Sequence, residues 1–95
     1  MVIFQSRDPT NPDWVLEQLE NQKTESISNW VDACITRAIG MIKLHKSGEI
    51  DSRALLFNLT NIKNVTQDHV LYEDALRKNR LDDVLNPLID KLKGA

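Results

Sequence analysis

The sequence predicts an all-α protein, a compact bundle of four to five short helices, and three observations predict it. Apolar residues recur at steps of three and four along most of the chain, the spacing that one face of a helix requires. Cap and stop residues bracket those periodic stretches. No run of β-branched residues alternates with polar ones between turn signals, so the strand pattern is missing. With 41% hydrophobic and 27% charged side chains in 95 residues, residues 1–95 read as one globular domain rather than a disordered tail.

Residues 1–10 carry a brief apolar patch, Val2-Ile3-Phe4, and read as either a frayed start or a strand-like arm laid on the core. Helix one is announced by Asn11-Pro12-Asp13: asparagine caps, proline fits the first helical position, and aspartate meets the positive end of the dipole. Trp14, Val15, Leu16 and Leu19 form its apolar side, and Asp13, Glu17 and Glu20 make the opposite side acidic.

The second helix is the strongest, with Ser26 or Ser28 as its cap. Ile27, Trp30, Val31, Cys34, Ile35, Ala38, Met41, Ile42 and His45 form a stripe that must face a core, while Asn29, Asp32, Thr36, Arg37 and Lys43 fall on the other face. Lys43, His45 and Lys46 suit the negative end of this helix, and Gly48 ends it.

Ile50, the Asp51 cap and Leu55 form a hydrophobic staple that starts helix three near Ser52, which runs toward Ile62 and buries Leu55, Leu56, Leu59 and Ile62. The same device, Val65 with Thr66 and Val70, predicts a fourth helix from Thr66 that uses Leu71, Ala75 and Leu76. Asn79 reads as the cap of a further helix carrying Leu81, Val84, Leu85, Leu88, Ile89 and Leu92. Pro87 lies within it, so this segment either kinks there or restarts with Asn86 as cap.

Charge and composition set several functions aside. Residues 1–50 hold five Lys/Arg against seven Asp/Glu and residues 51–95 hold seven against seven, for a net charge of −2. Binding a nucleic-acid backbone or an anionic membrane surface needs clustered cations, and neither half supplies them. Cys34 is the only cysteine, within an apolar repeat, and reads as a buried thiol in a reducing compartment. No signal-peptide pattern or membrane-length apolar run is present, which predicts an intracellular protein, cytoplasmic or nuclear.

His45, His69 and Cys34 are the only soft metal ligands, and no two share a helix face or a hairpin. No nucleophile elbow, phosphate-cradling loop or paired acidic motif appears, so neither a catalytic site nor a cofactor is expected. The two tryptophans read as core, with Trp14 the better placed to serve as a binding anchor. Helices three and four have helix-turn-helix spacing, but the second would present Asp68, Glu73 and Asp74 to phosphates, against DNA binding. Arg77, Lys78 and Arg80 either neutralise the end of helix four or, exposed beside Leu81, grip an acidic, partly hydrophobic peptide.

Leu59-x-x-Ile62, Val65-Thr66, Val70-Leu71-x-Glu73, Leu76-x-x-Asn79-Arg80-Leu81 and Asn86-x-Leu88 together resemble the N-terminal domain of transcription elongation factor S-II. Residues 55–92 carry this resemblance, which extends to the related integrase-binding domain of lens-epithelium-derived growth factor. It implies a helical bundle that binds short linear motifs of transcription proteins. The contact region would then be the loop at Ile50 and Asp51 together with the junction at Arg77, Lys78, Arg80 and Leu81. The sequence thus leads to a non-catalytic adaptor that docks a short peptide or partner helix. Its alternative is a small regulatory or structural homo-oligomer of bacterial or phage origin, since the second helix carries many apolar positions.

Overall fold

The computed structural model describes residues 8–23, 29–66 and 71–94, which form four helices: α1 (Pro12–Gln22), α2 (Trp30–Lys46), α3 (Ser52–Asn64) and α4 (Tyr72–Lys93). The Val2-Ile3-Phe4 patch, Ser26, Ile27, Ser28, Gln67, Asp68, His69 and Val70 lie outside the described residues.

The start of α1 follows its sequence signals. The Asn11 side chain accepts a hydrogen bond from the Asp13 N–H (2.8 Å), Pro12 is the first helical residue, and Val15 and Leu19 are fully buried. Upstream, the Asp8 carboxylate accepts from the Thr10 N–H and hydroxyl, holding the carboxyl below its ordinary range.

Helix α2 is capped by Asn29 rather than by either serine, its side-chain oxygen accepting from the Val31 and Asp32 N–H groups. Of its stripe, Val31, Cys34, Ile35, Ala38 and Ile42 are buried, with Ile39 added, and Trp30 and Met41 pack partly buried against them. Asp32 departs from expectation. Helical spacing places it on the outer face, yet it is only 4% exposed, because Arg77 reaches it from α4 with a hydrogen-bonded ion pair of 2.6 Å.

Gly48, with φ +83°, stops α2. Its N–H bonds the His45 carbonyl and the Glu49 N–H bonds the Leu44 carbonyl, the paired closure of a Schellman turn. The chain then enters α3 directly. Asp51 accepts from the Ala54 N–H (2.8 Å), and half-buried Ile50 packs on the cluster containing Leu55, as the staple requires.

The largest correction concerns the last two predicted helices, which are one. Thr66 is exposed and outside any helix, and α4 begins at Tyr72 with Leu71 at the cap position and no side-chain cap bond. Asn79, read as a cap, sits mid-helix: a cap works only where the preceding backbone leaves the helix, and here it does not. Nor does Asn86 restart the helix, which runs through Pro87. Proline removes the bond to the Asp83 carbonyl, a loss of about 3 kcal/mol or more in an isolated helix. Leu85, Leu88 and Ile89, buried on either side of it, supply the packing that holds the helix together.

Contacts between side chains fix the helix directions. Asp13 at the start of α1 pairs with Lys46 at the end of α2, and His45 near the end of α2 bonds Ser52 at the start of α3 (3.1 Å). Lys78 bonds the Lys63 carbonyl at the end of α3 (2.8 Å), and Asn29 bonds Asp74 near the start of α4 (2.9 Å). The chain therefore runs up, down, up, down. Helices α2 and α4 both touch every other helix, while α1 and α3 do not meet. Among the described residues no helix is long and apolar enough to cross a membrane.

Candidate functional site

The six residues expected to form a contact region occupy different environments. Leu81 is fully buried in the core. Arg77 is turned inward, donating from Nη2 to Asp32 Oδ1 and the Gln22 carbonyl (3.4 Å) and from Nη1 to Asn29 Oδ1 (3.2 Å). Lys78 is 7% exposed, its ammonium shared between the Lys63 carbonyl and Asp82 Oδ1, each at 2.8 Å. Of the three cations only Arg80 is exposed, and its carbonyl accepts from the Gln22 side chain (3.4 Å). The premise of a solvent-exposed triple-cation junction is therefore corrected: inside a continuous helix, Arg77 pairs with Asp32 on α2, while Lys78 reaches the Lys63 carbonyl at the end of α3 and pairs with Asp82 one turn along α4.

Ile50 and Asp51 are also not brought to that junction. They flank the first turn of α3, whereas Lys78 meets its last turn at Lys63, and the 13 residues of α3 separate them by roughly 20 Å. Both have local duties: Asp51 caps α3 and Ile50 packs against the core.

The surface that stands out lies where α2 begins, α3 ends and α4 begins. Two adjoining hollows share Trp30, Val65 and Thr66. The larger, about 350 Å³, is completed by Ala33, Cys34, Arg37 and Ile62; the smaller, about 210 Å³, by Lys63, Ala75, Lys78, Asn79 and Asp82. The first lies at the small end of the range of ligand pockets, about 300–1,000 Å³, a size suited to one or two apolar side chains. Burial pushes the Cys34 thiol up, so it is a neutral wall group at physiological pH.

Beside these hollows the first turns of α4 leave large apolar groups in solvent: Leu71 is 70% exposed, Tyr72 77% and Leu76 41%. At 100° per residue, Leu71 lies on the same side of α4 as the lining residues Ala75, Lys78 and Asp82, Tyr72 lies about 60° from Ala75, and Leu76 lies about 100° from it toward Glu73. Phe57, the other strongly exposed large apolar residue among those described, stands on α3 and lines neither hollow.

Sequence reasoning ranked Trp14 above Trp30 as an anchor. Both are partly buried against the core, but Trp30 is the one that lines the hollows. Leu71 and Leu76, which periodicity places on the apolar side of a fourth helix, are instead exposed. No family model, curated protein or solved structure matches the chain.

Proposed function

We propose that this chain is a non-catalytic helical interaction module that docks a short peptide or partner helix. The observation that carries this reading is that the first turns of α4, whose Ala75 and Lys78 line a hollow beside Trp30, also leave Leu71, Tyr72 and Leu76 exposed. Fully burying one such side chain is worth roughly 1.5–3 kcal/mol, and large apolar groups left in water near an apolar hollow favour a surface that is covered in use. The resemblance to the S-II N-terminal domain adds a role in transcription, on that likeness alone.

Self-association would need an apolar face left over on α2. The apolar excess on α2 that suggested it is taken up inside the fold, where Val31, Cys34, Ile35, Ala38, Ile39 and Ile42 are all buried.

A photo-crosslinking residue in place of Tyr72 tests the module reading, with the same group at exposed Glu17 as its control. Exposed to extract from the source cells, the position-72 probe should give discrete adducts that the position-17 probe does not. Equal labelling at both positions removes the reading. Adducts only between copies of this chain replace it with the homo-oligomer.

A further inference from the structure

We propose that the Trp30 groove takes the apolar side chains of a short acidic peptide, with Arg37 and Lys63 holding its carboxylates. This rests on the module reading and specifies the partner's chemistry.

The groove's charges point one way. Lys78 and Asp82 both line it, but they are paired with each other at 2.8 Å and contribute no net charge. Arg37 at one edge and Lys63 at the other are exposed, and neither has an ion-pair partner among the described residues. Two uncommitted cations therefore flank an apolar floor of Trp30, Ala33, Cys34, Ile62 and Val65.

The acidic residues near the start of α4 do not cancel them. Glu73 lies about 160° around the helix from Ala75, on the side of Arg77 and Arg80, and Asp74 lies about 100° from Ala75, turned to Asn29 and lining neither hollow. Opposite charge at a rim steers and orients a partner, while the apolar floor supplies affinity. An acidic peptide meets both, whereas a basic one would set its charges against Arg37 and Lys63. Arginine can clamp a carboxylate through two parallel hydrogen bonds, and lysine holds one as a point charge. Carboxylates on either side of an apolar anchor therefore match the groove.

The experiment is selection of random 12-residue displayed peptides on the full chain, followed by titration of synthetic copies monitored by tryptophan emission and NMR amide shifts. Enriched peptides should combine Asp or Glu with large apolar residues and shift the amides of Trp30, Ala33 and Val65. The Arg37→Glu/Lys63→Glu variant, altered only at exposed positions, should melt like the wild type and lose about tenfold in affinity. Replacing the acids of a selected peptide by lysine should reverse that preference. Peptides that bind elsewhere, lack acids, or ignore the double variant overturn this proposal and leave the module reading standing. No enriched peptide at all removes both. A wild-type dimer that the double variant dissociates overturns it in favour of a second copy in the groove.

Discussion

At the end of the bundle where α2 hands over to α3, the described backbone and side chains are closed by local devices. Gly48 closes the helix end, Asp51 caps the next helix, Ile50 covers its first turn, and Lys46 ties the corner to Asp13 on α1. At the opposite end, α4 starts without a side-chain cap, and Leu71, Tyr72 and Leu76 are exposed beside two hollows. The same chain that uses a Schellman turn and a staple at one end leaves apolar surface uncovered at the other. Stability alone favours the first arrangement. The docking reading rests on that difference.

The largest effect expected from breaking this contrast belongs to neither end but to the ion pair behind the open one. Arg77→Ala removes the guanidinium from the buried Asp32 carboxylate and should cost about 3 kcal/mol in denaturant unfolding, the usual result of removing one partner of a buried pair. Arg80→Ala, three residues on and exposed, should stay within about 0.5 kcal/mol. Equal losses would mean that Arg77 is not the strut the geometry makes it.

At the closed end, Gly48→Ala meets no neighbouring atom within 4 Å, so its cost is the backbone's alone, about 1–2 kcal/mol for a left-handed residue with a Cβ. Asp51→Ala should cost about 1 kcal/mol through loss of the cap to Ala54. A wild-type midpoint in both variants would remove the contrast on which the two-ended reading stands.

The open end gives a change of opposite sign. Leu71 sits where a capping side chain is missing, so Leu71→Asp should supply the cap and raise stability by about 1 kcal/mol. It should also weaken capture of the selected acidic peptides. Gain in melting temperature with loss of binding would show a leucine kept there at the expense of the helix start. A stability gain with binding intact would remove Leu71 from the contact surface.

The closed end was legible in the sequence because its devices are local: Ile50, Asp51 and Leu55 interact across five residues, and Gly48 acts through its own φ. The open end was not. Asn79 and Pro87 look like boundaries in sequence, and only the packing of Leu81, Leu85, Leu88 and Ile89 against other helices overrides them. Asp32 read as surface because its partner, Arg77, lies 45 residues away. Trp30 gained its place beside the hollows only when the end of α3 and the start of α4 were set against it. Periodicity orients a residue relative to its own helix axis; it does not say whether a neighbouring helix covers that face.

The smallest expected effect lies upstream of α1, at a fully exposed carboxyl. The Thr10 hydroxyl (2.6 Å) and N–H (2.9 Å) both donate to Asp8 Oδ1, and these bonds favour the charged form. Asp8 should therefore titrate below its ordinary value of 3.8. Because its folded value is depressed, the group's contribution to stability is present above the unfolded value and fades as pH falls through the folded one. A carboxyl-carbon NMR titration of the wild type should show the low midpoint, and Thr10→Val should raise it while leaving one backbone bond. An unchanged midpoint in Thr10→Val would mean that the hydroxyl contributes nothing to the shift.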